Sequence, residues 1–119
     1  MSRDRRSVEE LLPLPSATFH ILLSLTGQDR HGYAIIQDVE ERTAGRLRMS
    51  AGTLYRSIAR MVEQGLIVEV EKRRSRTDDE RRRYYRLAPL GESVARAEVQ
   101  RLSQLVRHAR ARGLAPRTA

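Results

Sequence analysis

Thr53, Arg56, Ser57 and Arg60 are the residues of this chain whose types and spacing can do chemistry. On a helix they share the side turned away from Leu54, Ile58, Met61 and Val62, which fall at i, i+4, i+7 and i+8 and form one apolar stripe. Arg56 lies most nearly opposite that stripe. The four carry short hydroxyls and guanidinium forks, with no acid among them. A solvated helix face usually mixes both signs of charge, whereas hydroxyls and guanidinium groups alone suit phosphate oxygens and base edges. The same pattern also fits an ordinary amphipathic helix with a basic outside, so the flanking chain has to decide.

The helix that would hold them is well delimited. Ser50 is a good N-cap, because its hydroxyl can accept from a free amide of the first turn. Met49 and Leu54 have the spacing of a hydrophobic staple across that cap. Gly65 supplies the C-terminal stop.

The 119 residues and 13.7 kDa allow one domain with one appended element and a small core. A net charge of +8 and a pI near 11.1 favour a polyanionic partner. Nucleic acid comes first and an anionic membrane surface second. No stretch approaches the roughly 18 apolar residues of a spanning helix. The start, Met1-Ser-Arg-Asp-Arg-Arg, leads into Val-Glu-Glu rather than an apolar run, so no secretory signal is read. Without cysteine there is no disulfide framework, thiolate metal site or thiol nucleophile. A cytoplasmic protein is expected.

Residues 1–14 read as a basic arm ending in a short helical turn. Ser7-Val-Glu-Glu10 fits a capping box, and Pro13 and Pro15 break it. Three roles fit the arm: disorder, packing on a partner subunit, or contact with DNA. A first main helix is expected from Pro15–Ser16 to Gly27, with Phe19, Leu22, Leu23 and Thr26 on one stripe and Ile21 and Leu25 beside it. His20 in this run reads as a boundary residue bonded to a carbonyl. It has no His-x-x-His or Glu-x-x-His partner, and no metal is expected.

Gln28-Asp29-Arg30 reads as a loop before a second helix, from His31–Gly32 to Thr43. Its apolar face is expected to be Tyr33, Ile36 and Val39, with Asp38, Glu40, Glu41 and Arg42 solvated. Its N-terminal amides, with His31 nearby, could seat a phosphate. Tyr33 fits a core aromatic as well as a DNA contact. Arg46-Leu47-Arg48 could edge a small sheet.

Beyond Gly65, Leu66–Glu71 is β-branched and then alternates, and Arg83–Ala88 is its counterpart strand, with Tyr85 and Leu87 on one face. The polar run Lys72–Arg82 between them is a long hairpin, basic on both sides through Arg73, Arg74, Arg76, Arg81 and Arg82. A solvated charge run has this composition; so does a wing laid over a minor groove or phosphates. Pro89 opens a last helix reaching about Arg112, on the order of 36 Å long at 1.5 Å per residue. Leu90, Val94 and Ala97 can dock on the domain. Leu102, Leu105, Val106 and Ala109 then form a second stripe at i, i+3, i+4, i+7 with nothing in their own chain to cover it. A partner helix is the economical solution. Residues 114–119 read as a frayed tail.

Five segments in order carry a family resemblance: His31-Gly-Tyr33, Glu40-Glu-Arg-Thr43, Gly52-Thr-Leu-Tyr55, Glu63-Gln-Gly-Leu-Ile67 and Arg82-Arg-Tyr-Tyr-Arg-Leu87. Over roughly Phe19 to Gly91 the chain resembles the PadR-like transcriptional regulators, in their compact branch with a single C-terminal helix. The resemblance implies an α+β, mainly helical fold: a winged helix-turn-helix with its recognition helix at Ala51–Gln64 and a long C-terminal dimerisation helix. It also implies a homodimer, a bacterial setting, and repression relieved by a small molecule or stress signal. Three positions depart from the pattern. The family often has proline before Gly52 and after Tyr55, where Ala51 and Arg56 stand here. Ala88 replaces the hydroxyl residue that commonly caps the last helix, a loss of about 1 kcal/mol.

The expected organisation is an arm at 1–14, a winged-helix DNA-binding domain at 15–88, a dimerisation helix at 89–113 and a tail at 114–119. The expected DNA-binding residues are His31, Tyr33, Ser50, Thr53, Tyr55, Arg56, Ser57 and Arg60, with the five arginines of the wing. The expected function is a transcriptional regulator on double-stranded DNA, with a palindromic operator and no cofactor. The competing reading is a winged-helix interaction module for an acidic protein, which would not need the clean Thr53/Arg56/Ser57/Arg60 face. An enzyme is not expected: there is no glycine-rich phosphate loop or zinc motif, and the histidines have no motif-level partner.

Overall fold

The helix that carries Thr53, Arg56, Ser57 and Arg60 is set against two others and a small sheet in the computed structural model, which describes residues 8–71, 83–114 and 116. The elements are α1 (Ser16–Leu25), β1 (Arg30–His31), α2 (Gly32–Arg42), α3 (Ala51–Glu63), β2 (Ile67–Val70), β3 (Tyr84–Leu87) and α4 (Pro89–Ala111). The strands form one antiparallel sheet in the order β1-β3-β2, with Val70 opposite Tyr84 and Arg30 opposite Tyr85. This is a winged helix-turn-helix with a long C-terminal helix.

The core is built where α1, α2, α3 and α4 meet the sheet. Ile21, Leu22, Ile35, Leu54, Met61, Leu66, Ile67 and Val94 are fully buried in it. The buried side of α1 is Thr18, Ile21, Leu22, Ser24 and Leu25, so of the expected Phe19/Leu22/Leu23/Thr26 stripe only Leu22 is fully inside. Leu23 is 37% exposed and Thr26 faces solvent, while Phe19 packs at the core's edge. Apolar residues occur around most of this helix, so its own period does not select a face; its neighbours do. Val8, Leu11, Leu12 and Leu14 also pack against the core, so the domain's packing reaches back into the segment read as an arm.

The third strand is not Arg46–Arg48. It is Arg30–His31, within the stretch read as a loop and helix start. Two residues have no periodicity to betray a strand, and this one exists only through its pairing with β3. Leu47 instead packs against the core, with its amide donating to the Thr43 hydroxyl at 3.1 Å.

In α2 the buried residues are Gly32, Ile35 and Val39. Tyr33 is 58% exposed, so it is not the core aromatic. Asp38 is not merely solvated either. Its carboxylate accepts from Ser24 Oγ at 2.8 Å and Arg42 Nε at 2.9 Å, with Arg30 Nη2 at 3.6 Å. Arg42 also donates to the His20 carbonyl, and Arg30 to that of Ser24. Burial pushes the Asp38 carboxyl up, but the hydrogen bonds from Arg42 and Ser24 and the two guanidinium charges outweigh it and hold it below the usual range. This network ties α2 to α1.

Gly91, Val94, Ala95 and Glu98 are the buried residues of α4, with Leu90 and Ala97 half-buried at the edge. The expected docking face is therefore rotated toward Ala95 and Glu98. Farther along, Leu105 is 51% and Val106 41% exposed, while Leu102 and Ala109 are half-buried.

Candidate nucleic-acid interface

The first turn of α3 is organised by its cap. Ser50 Oγ accepts from the Thr53 amide at 3.1 Å and donates to the Thr53 hydroxyl at 3.1 Å. Met49 and Leu54, the two ends of the staple, are both in the core. At the other end Gly65, at φ +80°, lets the chain turn back. The Gly65 amide donates to the Val62 carbonyl at 3.0 Å and the Leu66 amide to that of Met61 at 2.9 Å. This pair of bonds is the Schellman motif, and a left-handed backbone there favours glycine. Local chemistry thus fixes both helix ends.

Leu54, Ile58 and Met61 face inward; Val62, expected with them, is 42% exposed at the stripe's margin. The opposite side presents Arg56 and Arg60 in the open, with Thr53 and Ser57 half-buried beneath them. Arg56 leans back over the first turn, its Nη2 3.5 Å from the Thr53 hydroxyl. A guanidinium, two hydroxyls and the positive end of the helix dipole converge there, an arrangement suited to an anionic oxygen or a guanine edge.

The other predicted contacts divide. Tyr55 is 48% exposed and Tyr33 is open to solvent. His31 is half-buried and engaged: its Nδ1 accepts from the Ala34 amide at 3.1 Å, capping α2. Its ring meets Tyr84 edge-on, with centroids 5.3 Å apart. One of the amides expected to seat a phosphate is therefore satisfied by the protein's own side chain. Arg73, Arg74, Arg76, Arg81 and Arg82 lie outside the described residues.

Two features were not read from the sequence. Gly32 leaves room for the Tyr55 ring: a methyl group there would collide with the Tyr55 hydroxyl and stand 2.8 Å from its Cζ. At the root of the sheet, Arg86 grips Asp29 with both prongs, at 3.1 and 2.9 Å, joining β3 to the loop before β1. The glycine in His31-Gly-Tyr33 was the available signal for the first; nothing local pairs Asp29 with Arg86. Among the described residues no group of His, Asp or Glu is arranged to hold a metal ion, and no helix is long and apolar enough to cross a membrane.

The model of the PadR-like family of transcriptional regulators matches residues 21–97, well over half the chain. The chain belongs to the PadR-like family. Among solved structures it is similar to a PadR family transcription regulator from Clostridium difficile, with 24% identity and a TM-score of 0.72 over 82% of this chain and 97% of that one. A transcriptional regulator from Clostridium thermocellum gives 23% identity and a TM-score of 0.67, covering 80% and 87%. Bacillus subtilis PadR, solved in complex with operator DNA, gives 16% and 0.62, over 73% of this chain and 48% of that one. No curated protein matches the chain. PadR-like proteins are transcriptional regulators rather than enzymes, and the family assignment gives no support to an acidic-protein adaptor.

Proposed function

We propose that this PadR-like regulator is a cytoplasmic repressor that binds a palindromic operator as a homodimer and is released by a small molecule or stress signal. The observation that carries the DNA reading is the Thr53/Arg56/Ser57/Arg60 face of α3, with Arg56 and Arg60 exposed beside Thr53 and Ser57. The division of labour follows from it. Residues 15–88 bind DNA, with Ser50, Thr53, Tyr55, Arg56, Ser57 and Arg60 at the major groove and His31 and Tyr33 beside them. Arg73, Arg74, Arg76, Arg81 and Arg82 hold phosphates or the adjacent minor groove, and residues 89–113 pair the subunits through Leu102, Leu105, Val106 and Ala109. Residues 1–14 and 114–119 flank this unit.

Selection of bound sequences from a random duplex pool tests the reading. It should return two symmetric half-sites about one helical turn, roughly 10 base pairs, apart. Affinity for the selected duplex should fall steeply with salt, by a slope near −0.9 per neutralised phosphate. Failure to enrich any sequence, with salt-insensitive duplex binding, would overturn it.

A further inference from the structure

The described arginines of the winged domain fall into two groups. Arg30 and Arg42 lie against Asp38, Arg83 against Glu69 and Arg86 against Asp29. Among the described residues, Arg46, Arg56 and Arg60 have no carboxylate within ion-pair distance, and Arg48 has Glu40 alone, at 3.6 Å. Arg56 and Arg60 belong to the outer face of α3. Arg46 and Arg48 stand apart from it, on the turn between α2 and α3. That turn is held in place: the Gly45 amide donates to the Glu40 carbonyl at 2.8 Å, and the Leu47 amide to the Thr43 hydroxyl at 3.1 Å. From Arg46 to Ser50 burial alternates. Leu47 packs against the core and Met49 is inside it, while Arg46, Arg48 and Ser50 are exposed. Side chains two apart in an extended chain share a side, so both arginines stand on one outer edge that runs into the first turn of α3.

We infer that Arg46 and Arg48 form a second phosphate-binding element, set on the duplex backbone beside the groove that α3 enters, and that Glu40 competes with phosphate for Arg48. The inference rests on the DNA reading above and adds to it a positioning contact and a restraint. Arg46 needs no release: solvated and without a carboxylate, it can meet a phosphate with both prongs of its guanidinium. Arg48 is held only loosely. Its side chain is 76% exposed and that of Glu40 46%, and so open an ion pair contributes little. A phosphate arriving at Arg48 can therefore replace the carboxylate. Glu40 stays close by, however, and like charges repel. That cost falls on every sequence alike, because phosphates carry no base information. Glu40 thus tempers backbone affinity and leaves a larger share of binding to the base contacts of α3.

Salt titrations of the full chain against two duplexes, the one enriched by selection and a scrambled one, test both halves of the inference. Arg46→Ala and Arg48→Ala should each weaken both duplexes alike, by about fivefold to tenfold at roughly 0.1 M salt, and reduce the salt slope by about 0.9. Glu40→Gln should tighten both, by about twofold to fivefold, and should lose that effect once Arg48 is replaced by alanine. This pattern supports the inference. Unchanged affinity and slope in both arginine variants, with weaker binding by Arg60→Ala, would place the turn off the DNA and overturn it while the DNA reading stands. A changed base preference in Arg48→Ala would make that arginine a reader of bases and overturn the phosphate assignment. Equal tightening by Glu40→Gln with and without Arg48 would mean that Glu40 repels the duplex directly, which overturns the competition. A wild-type chain whose duplex binding does not weaken as salt rises would overturn the DNA reading itself, and this inference with it.

Discussion

The phenol of Tyr55, on α3, rests against Gly32, the first residue of α2. This contact couples the two helices of the helix-turn-helix at a point where no other residue type leaves enough room. Gly32→Ala should drive the ring aside and cost about 1–3 kcal/mol, the usual range for overpacking. In a Tyr55→Ala background most of that cost should vanish. Some should remain, because Leu54 Cδ2 also lies only 3.1 Å from the added methyl. A denaturant double-mutant cycle measures the coupling; strictly additive effects would show that the ring is not the obstacle.

Gly91 meets a harder wall. A Cβ there would strike the carbonyl oxygen of Leu66, and that same oxygen already accepts the Ala88 amide at 3.0 Å at the start of α4. Helix propensity alone would make Gly91→Ala stabilising by about 1 kcal/mol. Backbone cannot swing away as a side chain can, so the substitution should instead destabilise by at least about 1–3 kcal/mol. Thermal unfolding of the variant decides between the two signs.

Arg56 tests what the recognition helix reads. It is exposed and its contact with Thr53 is long, so Arg56→Ala should leave thermal stability within about 0.5 kcal/mol. If the guanidinium bridges O6 and N7 of a guanine, the change should erase roughly 1–3 kcal/mol of preference at one symmetric pair of operator positions. Competition binding across operator variants measures this. Equal weakening on every variant would identify a phosphate clamp instead.

Leu105 probes assembly. At 51% exposed it contributes little to the protomer's own core, so Leu105→Glu should fold normally. In the proposed seam it would bury an unpaired charge, at a cost of about 3–5 kcal/mol, and split the dimer. Sedimentation at matched concentrations compares the two proteins, and an unchanged dimer mass would move the seam off this stripe.

Acid should loosen the N-terminal turn. Glu98 is nearly buried and accepts from Arg101 Nε at 2.7 Å, Arg101 Nη2 at 3.0 Å and the Leu14 amide. The Arg101 hydrogen bonds, joined by that of Leu14 and opposed by burial, hold its carboxyl below the usual glutamate range. A depressed folded pKa means stability that is complete above the unfolded value, near 4.3, and is lost as pH falls through the lower folded value. Asp38 acts in the same direction. Unfolding free energy should therefore drop below about pH 4. Glu98→Gln should be less stable at neutral pH and show a shallower acid decline in denaturant titrations.

What could be read without coordinates is what neighbouring residues decide among themselves. Ser50, Met49, Leu54 and Gly65 delimit α3 through bonds and contacts within a few positions, and the structure places each in its expected role. The paired strands and the length of α4 follow similarly from local alternation and from Pro89. The shared outer face of Thr53, Arg56, Ser57 and Arg60 on α3 needed only the helical period. Tertiary structure decided the rest. Arg30–His31 is a strand only because β3 lies beside it. α1, with apolar residues around most of its circumference, turned its Thr18–Leu25 side inward and left Leu23 out. Tyr33 went to the surface while Tyr84, one residue from its expected inward neighbour, went in. Glu98, a charged residue on an otherwise apolar face, became buried because Arg101 and the Leu14 amide satisfy it there. Each outcome depends on partners distant in the chain, whose contacts outweigh the preference of any short segment because burial and pairing are settled only when the elements meet.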